Sequence, residues 1–365
     1  MIQIKTFTPA TGGSREWHAI ITPSSGYMTF NAQLAEVLAG MKELHLRYPG
    51  MQPVMQRWFL SDPANQAPFL PKSDGCAMSV VGQSPLDGTK LALWLWLSEG
   101  GEMTRLDDNR YRYDHGPWKH IIEGGRNADA LTSFEATVKI LSDTQAFLEQ
   151  HGGSLLGNCV RTWFFVHDVD VNYHGVVRGR NMVFEWLGLS PATRFIASTG
   201  IGGNHPRPEV NVQMDSYSLL PMLDGQMRQI NDPDYLNPTV EYGVAFERAT
   251  SIDYGDRRHL FISGTASIDN KGDVVHVGDI RRQTERMLTN IEALLRKGEC
   301  GFEDVMHLIV YLRDPADHEV VNAIFAERLP TVPRVIVIAP VCRPEWLVET
   351  ECMAVKSIKT DYPRF

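Results

Sequence analysis

Hydrophobic positions along the chain repeat one pattern three times: an amphipathic helix, a glycine, and then an apolar strand that ends at an aspartate. The strand copies are residues 57–62, 163–168 and 309–314. The helices before them close at Gly50, at Gly152-Gly153 and at Gly298. A repeat of more than about 100 residues is too long for a solenoid unit, so each copy is predicted to be a small domain.

The third copy shows the elements most clearly. Alternating apolar positions predict strands at 258–264, 273–276, 304–312, 334–340 and 346–355. One helix is predicted to begin after Asp279, which can cap it, and a second spans 317–328. The β-β-α-β-α-β-β order predicts an α+β domain with its helices on one face of a mostly antiparallel sheet.

The first copy is predicted to be a reduced version of this domain. Its segment from Pro63 to Pro71 is too short and too rich in proline for a full second helix. Strands are expected near 76–83 and 90–97, and the Asp87-Gly88 dipeptide between them is typical of a hairpin turn. The first copy is therefore expected to keep the strands of the repeat and to lose one helix.

Three related domains in one chain can build what would otherwise be a homotrimer, and their interfaces are then free to diverge. We therefore predict an intramolecular pseudo-trimer of α+β modules around a central pseudo-threefold axis. The predicted modules are residues 1–105, 106–225 and 241–365, with a linker at 226–240. Function is expected where the three interfaces differ.

The formal net charge is −9, with 35 Lys and Arg against 44 Asp and Glu, so no basic field favours nucleic acid. No apolar run approaches the length of a membrane span, and the first residues lack the pattern of a signal peptide. Five cysteines without a C-x-x-C pair favour reduced thiols over a disulfide frame or a zinc site. We expect a cytoplasmic monomer or weak homo-oligomer that uses no metal or other cofactor and binds neither nucleic acid nor a membrane.

Two glutamates near the end of the chain are candidates for chemistry. Alternation along the last strand places Glu349 and Glu351 on one face. Two such carboxylates repel each other, and if partly buried one of them holds a proton near neutral pH. Arg334 opens a neighbouring strand and could bind a substrate carboxylate through two hydrogen bonds. The residues alone leave open the alternative of a solvated strand face on which Arg334 pairs with one glutamate.

The second module repeats this layout with altered chemistry. Arg194 is matched to Arg334, and Gln213 takes the place of Glu349. The first module has Leu91-Ala92-Leu93 at the corresponding strand, so neither group remains there. If the sites lie between modules, one is complete, one is partial and one is lost.

The third module resembles the Rid/YjgF superfamily of endoribonuclease L-PSP-like proteins, which have a chorismate-mutase-like fold, over residues 244–356. The resemblance rests on Ile262-Ser263-Gly264, Gln283 through Asn290, Val310 through Asp314, Asn322, Pro333-Arg334 and Val348 through Cys352. In that family, trimers place the site between subunits. The resemblance implies that Arg334 binds the carboxylate of an imino acid and that Glu349 positions the water that hydrolyses it.

A narrower resemblance is to the chorismatases, single chains with a Rid-like C-terminal domain. It rests on Ser263 through Ser267, His276 through Asp279, Cys342 through Glu349, Gly179-Arg180 and Thr199 through Gly202. It implies that Glu349 and Cys342 are catalytic: Glu349 acts in enol-ether hydrolysis, and the cysteine matched by Cys342 is found in members that form hydroxybenzoates. Gly264 and Ala266 are then expected at the substrate, with Arg180, Arg194 and Arg334 as carboxylate-binding candidates.

The chain departs from the chorismatase pattern at Phe164, Phe165 and Asp170, where that pattern has two asparagines and a tyrosine. Loss of these polar groups predicts weaker recognition of a hydroxylated ring. Three functions stay open: a chorismatase-like hydrolase or lyase, a Rid-type enamine or imine deaminase, and a binding protein without turnover. The first is our prediction, with a small carboxylated metabolite such as chorismate as substrate and Glu349 as general acid.

Overall fold

The computed structural model describes residues 1–73 and 75–365, and of Tyr242 it describes the backbone alone. The first module comprises β1 (Ile2–Phe7), β2 (Glu16–Ile21), α1 (Phe30–Arg47), β3 (Met51–Leu60), α2 (Pro63–Gln66), β4 (Ala77–Gly82) and β5 (Leu91–Glu99). Its sheet has the order β1-β2-β5-β3-β4, in which β3 and β4 are parallel and the other pairs antiparallel. As its prolines predict, the second helix is a single turn.

The second module follows with an added strand at its edge. It comprises β6 (Glu102–Asp107), β7 (Arg110–His115), β8 (Trp118–Asn127), α3 (Ser133–Gln150), α4 (Leu155–Asn158), β9 (Cys159–Val166), α5 (Val169–Trp186), β10 (Ala197–Gly202) and β11 (Val212–Leu220). The sheet order is β10-β9-β11-β8-β7-β6. Thr132 caps α3, because its hydroxyl accepts from the Glu135 amide at 3.2 Å, a contact typical of threonine before a helix.

The third module also gains an edge strand. It comprises β12 (Met227–Ile230), β13 (Ala249–Asp253), β14 (Arg257–Ala266), α6 (Ile280–Lys297), β15 (Val305–Leu312), α7 (His318–Arg328), β16 (Arg334–Ile338) and β17 (Val348–Ser357). The sheet order is β12-β13-β14-β17-β15-β16. Short 3-10 turns lie at Ala67–Phe69, Thr239–Tyr242, Phe302–Asp304 and Pro315–Asp317.

One five-stranded order is common to the three sheets: β1-β2-β5-β3-β4, β7-β8-β11-β9-β10 and β13-β14-β17-β15-β16. The strand copies found in the sequence become β3, β9 and β15. Leu60, Val166 and Leu312 each pair with the last residue of the parallel strand beside them, so these positions are equivalent. The prediction of three related α+β modules with a reduced first copy is confirmed.

Contacts between the modules close a ring. β4 lies against β8, β10 against β14, and β15 against β2. Apolar side chains of all three modules share one core, in which Trp94 and Phe261 are buried. Inside it, Arg57 of the first module donates to Asp215 of the second at 2.8 Å and to Glu351 of the third at 3.3 Å. The predicted pseudo-threefold arrangement is thus built around a shared apolar core and a buried ionic contact.

Three details of the predicted organisation are wrong. β4 and β5 do not form a hairpin, because β3 lies between them, and the turn at Asp87-Gly88 connects strands that are not neighbours. Residues 226–240 are not only a linker, because they contain β12, which pairs with β13 and extends the third sheet. The first boundary at residue 105 also falls inside β6, which belongs to the second sheet. β6 and β12 are edge strands, whose short apolar alternation is hard to recognise in a sequence.

Candidate active site between the second and third modules

A cavity of about 360 Å³ lies between the second and third modules. The second module contributes α5 and the middle of β10, including Ser198 and Gly200. The third module contributes the end of β14, with Gly264 and Ala266, and the start of β17, with Glu349. The cavity therefore belongs to the interface and not to either module alone.

Glu349 lies on the cavity wall with 5% of its surface exposed. Burial, together with the nearby charge of Glu351, raises the pKa of Glu349 to about 8. At neutral pH the carboxyl therefore holds a proton in most molecules. A buried neutral acid of this kind can act as a general acid.

Gly264 makes the position of Glu349 possible. A Cβ at residue 264 would overlap Oε1 of the glutamate. The pairing of β14 with β17 is irregular here, since the register shifts between Ile262 and Thr265. The irregularity and the missing side chain let the carboxyl pack directly on the backbone of β14.

Glu351 shares the face of Glu349, as strand alternation predicts, but its surroundings differ. Its carboxylate accepts hydrogen bonds from Arg161 Nη2 at 2.8 Å, Trp163 Nε1 at 2.9 Å and Thr199 Oγ1 at 2.5 Å. Arg161 forms an ion pair with this carboxylate, and its negative charge lies close to the neutral acid. Both glutamates are buried, and the alternative of a solvated strand face is wrong.

Arg180 is the buried cation of the site. It lies on α5 with 1% of its surface exposed, and its Nε and Nη2 have no hydrogen-bond partner among the described residues. Unpaired buried N–H groups are costly, and a carboxylate that accepted from both would remove that cost. Gly179 allows α5 to approach α3, because a Cβ there would lie 2.9 Å from the backbone oxygen of Phe134.

Two further arginines, Arg248 and Arg343, line the cavity. The charge of Arg248 acts to lower the pKa of Glu349 against the effect of burial, and its Nη2 donates to the backbone oxygen of Asn237 at 3.1 Å. Arg343 lies over the ring of Trp346 at 4.6 Å. Sequence analysis did not identify Arg248, which stands in no motif and could be found only by its place directly before β13. Three arginines therefore surround one neutral acid.

Cys342 also lines the cavity. Burial raises the pKa of its thiol to about 12, with a further contribution from Glu349. The thiol forms a hydrogen bond with Tyr173, whose ring lies close to Gly200. A thiol with this pKa stays protonated near neutral pH and is poorly suited to be a nucleophile.

Only one of the three departures from the chorismatase pattern lies on the wall of this cavity. Phe164 packs in the core of the second module, and Phe165 lies in the central core at 4.8 Å from the guanidinium of Arg57. Asp170 does line the cavity, and its carboxylate accepts from Arg313 of the third module at 2.8 and 3.0 Å. The two phenylalanines therefore cannot weaken ring recognition by direct contact, as the sequence had suggested.

Arg194 does not reach the cavity, contrary to the prediction. Its guanidinium is buried and donates to backbone oxygens around α4, including Leu155 at 2.9 Å and Cys159 at 2.8 Å. Carbonyls at a helix end lack partners within the helix, so Arg194 has a structural role. The strand registers match Ser198 and not Arg194 to Arg334. The chain between α5 and β10 is irregular, so the sequence alone did not show that Arg194 lies four residues before the position equivalent to Arg334.

Arg334 lies in a second cleft, between the third and first modules, and not beside Glu349. This cleft has a volume of about 310 Å³ and is also lined by Gln3, Asp87 and Asn322. Arg334 Nη2 lies 3.4 Å from Asn322 Oδ1. The prediction that Arg334 and Glu349 share one cleft is wrong, because β16 borders the first module while the start of β17 faces the second.

Within residues 1–73 and 75–365, no group of three or more His, Cys, Asp or Glu side chains is placed to hold a metal ion. In the same part of the chain, no helix is both long and apolar enough to cross a membrane.

Comparison with known sequences points to the third module. The model of the endoribonuclease L-PSP family matches residues 249–356. The 3-aminoacrylate deaminase RutC of Acinetobacter baylyi is 33% identical over 97 residues, which are 26% of this chain and 77% of RutC. A RutC family protein of Pyrococcus horikoshii is 40% identical over 68 residues, which are 19% of this chain and 54% of that protein.

Comparison with solved structures extends to all three modules. A crystal structure of a chorismatase is similar over 83% of this chain and 93% of its own, with a TM-score of 0.67 and 23% identity. At that identity the similarity establishes the fold.

Proposed function

Because the chain belongs to the Rid/YjgF superfamily through its third module, we propose that it is a hydrolase or lyase acting on a small carboxylated metabolite, with chorismate as the first candidate. The observation that supports this proposal is the neutral Glu349 acid, held in an interface cavity beside Arg180, Arg248 and Arg343. The fold that the chain shares with a chorismatase adds to it.

Glu349 has the properties that enol-ether hydrolysis requires. In the proposed reaction its proton is transferred to the terminal CH2 carbon of the enolpyruvyl group, and the double-bond electrons form the new C–H bond. The resulting oxocarbenium ion is stabilised by the ionised Glu349 and by Glu351. Water adds to the cationic carbon, and collapse of the hemiketal breaks the bond to the ring oxygen. Pyruvate and an alcohol leave, and the proton from water restores the acid.

The arginines have a separate role in this proposal. A small dianion that enters a dry interface needs more than one cation to replace its hydration. Arg180 offers two N–H groups that have no partner among the described residues, and Arg343 and Arg248 line the same cavity. These side chains would bind the two carboxylates and place the enol ether against Glu349.

The direct test is to incubate the purified protein with chorismate and measure pyruvate through lactate dehydrogenase. We expect pyruvate release by the wild type and its loss in Glu349→Gln. Absence of pyruvate, with intact folded protein and chorismate unchanged, would contradict the proposal.

Similarity to the RutC deaminase favours a second candidate, hydrolysis of an enamine or imine. The separation of Arg334 from Glu349 counts against it, because the carboxylate anchor would have to come from Arg180 instead. An amino-acid oxidase that generates imino acids in the same tube tests this candidate through the rate of ammonia release. Binding of chorismate without turnover in either assay would instead indicate a binding protein.

A further inference from the structure

The loop of residues 239–246 separates two cavities. On one side, Val244 and Phe246 line the cavity that holds Glu349 and Arg180, called here the active cavity. On the other, Val244 borders a second cavity of about 330 Å³, whose wall includes Phe184 and Phe195. Ala245 packs against the core of the second module, but Val244 and Phe246 border empty space, so much of the loop lacks the close packing that would fix its position.

The two ends of this loop are fixed. At its base, the Thr239 hydroxyl donates to the backbone oxygen of Phe246 at 2.7 Å. Just beyond it, the amide of Glu247 donates to Ile196 O at 3.0 Å, and Glu247 Oε1 accepts from the amide of Phe195 at 2.8 Å. A compact loop with close, anchored ends can move as one unit about its base.

The middle of the loop is tied to the second module by one side chain. Asn181 Nδ2 donates to the backbone oxygen of Gly243 at 2.8 Å, and Asn181 Oδ1 accepts from the amide of Ala245 at 3.3 Å. Among the described residues, these are the hydrogen bonds that join the middle of the loop to that module. Asn181 follows Arg180 on α5, so the tie lies next to the buried cation.

The burial of Arg180 indicates that this loop controls access to it. Its Nε and Nη2 are sealed from solvent and find no partner in the part of the chain that the structure describes, so a group the size of water cannot touch them in the closed structure. The ring of Phe246 lies 5.9 Å from the guanidinium carbon. A ligand carboxylate could therefore reach both N–H groups only after part of this wall moves, and the cavity behind Val244 offers the space.

We propose that residues 239–246 form a flap over the active cavity, and that Asn181 is the positioning residue that holds the flap closed on a ligand bound to Arg180. The identity of that ligand rests on the proposed function, but the flap itself does not. In the open state Phe246 moves away from Arg180, and in the closed state the two hydrogen bonds of Asn181 restore the wall.

Hydrogen exchange of the ligand-free protein tests the flap directly. In Asn181→Ala we expect the backbone amides of 239–246 to exchange about tenfold faster than in the wild type, since about 1.4 kcal/mol of lost hydrogen bonding corresponds to that factor. The matched control is Asn211→Ala, which removes an exposed amide that bonds only weakly, at 3.4 Å, to Leu131 O. Exchange in the loop that is equal in Asn181→Ala and the control would overturn the proposal.

A second variant loosens the same loop without touching α5. Gly243 has a φ of 78°, and a Cβ there would meet no atom within 4 Å. Gly243→Ala therefore strains the backbone of the closed loop without a steric clash. We expect the amides of 239–246 to exchange faster than in the wild type, by a smaller factor than in Asn181→Ala. If exchange in these amides is unchanged in this variant, the loop does not open readily and the proposal is contradicted.

Steady-state kinetics distinguish a positioning role of Asn181 from a general loss of structure in the variant. If chorismate is the substrate, Asn181→Ala should raise KM about tenfold and change kcat less than threefold, because the closed state is less populated. A fall in kcat with an unchanged KM would contradict the assigned role. If the wild type does not act on chorismate, the proposed function fails, and the exchange experiment still decides whether the flap exists.

Discussion

Two clefts of this molecule are built from equivalent elements and hold different chemistry. Between the second and third modules, β10 carries Ser198 and β17 carries Glu349. Between the third and first modules, Arg334 stands in the place of Ser198, and Ala92 stands in the place of Glu349. Glu349 and Arg334, which the family resemblance assigns to one site, therefore lie on opposite sides of one module.

The third interface shows a further outcome. Between the first and second modules, a Cβ on Gly124 would lie 2.6 Å from the backbone oxygen of Met78, so the two backbones are in direct contact. Gln213, at the position of Glu349, donates to the Ser79 hydroxyl at 3.2 Å. Three copies of one interface have thus become an acid site, a cation cleft and a closed contact. Equivalent position in the repeat does not imply equivalent chemistry.

The comparison is tested most strongly by removing the acid. Glu349→Gln keeps the shape of the side chain and loses the proton, so turnover should fall by about 10²–10⁴-fold while ligand affinity is retained. Pyruvate release gives kcat, and calorimetric titration with chorismate gives affinity. The matched control is Glu345→Gln, an exposed glutamate of the preceding loop, which should behave like the wild type. Turnover that survives in Glu349→Gln would remove the acid from the mechanism.

Removing one cation from each cleft gives the next largest effect. Arg180→Met should weaken chorismate binding by about 2–5 kcal/mol, and Arg334→Ala should leave it within about 0.5 kcal/mol. Arg180→Met should not lower the melting temperature, because it removes a buried cation whose Nε and Nη2 have no hydrogen-bond partner among the described residues. The measurements are titration calorimetry and thermal unfolding of both variants. Equal losses of affinity would show that the two clefts act together.

A methyl group on Gly264 should displace the acid without unfolding the protein. Because the Cβ would overlap Oε1 of Glu349, which is the end of a flexible side chain, the carboxyl moves and the fold is little affected. A misplacement of about 1 Å costs about 10²-fold in rate, so Gly264→Ala should lose about that factor in kcat. Gly75→Ala is the control, since its Cβ would meet no atom within 4 Å. Full activity of Gly264→Ala would show that the position of the carboxyl is not critical.

The raised pKa of Glu349 also predicts a pH dependence of stability. The pKa of Glu349 rises from 4.5 to about 8 on folding, so between these values the unfolded chain binds fewer protons than the folded one. The free energy of unfolding of the wild type should therefore fall, relative to Glu349→Gln, as pH rises from about 4.5 to 8, and the difference should be constant above 8. Thermal unfolding of both proteins at several pH values measures it. Parallel curves would mean that Glu349 ionises normally.

Much of this architecture could be predicted from the sequence, because it depends on periodicity. The repeat of helix, glycine and strand fixed the equivalence of 57–62, 163–168 and 309–314, and alternation placed Glu349 on the same face as Glu351. Hydrophobic alternation is a local property, and the sheets preserve it. The candidates Glu349, Cys342, Arg180, Gly264 and Ala266 all lie at one cavity.

What could not be predicted depends on contacts between modules. Arg334 was predicted at the site from its strand and the family resemblance, and Arg194 from its match to Arg334. The arrangement of the three modules in a ring determines which neighbouring module each strand end contacts. Arg248 was missed because nothing in its local sequence marks it. The pairing of β4 with β3 likewise follows from the sheet as a whole and overrides a dipeptide typical of a hairpin.

The buried contact of Arg57 bears on what the smallest working form of this protein is. Among the described residues, the first module supplies no side chain to the active cavity. A fragment of residues 106–365 would keep that cavity but would lose Arg57, the buried guanidinium paired with Asp215 and one of two paired with Glu351. Glu351, whose charge raises the pKa of Glu349, would then keep Arg161 and lose Arg57 as a counter-ion. The first module is therefore an electrostatic component of the candidate site, and its removal would alter the acid without any direct contact.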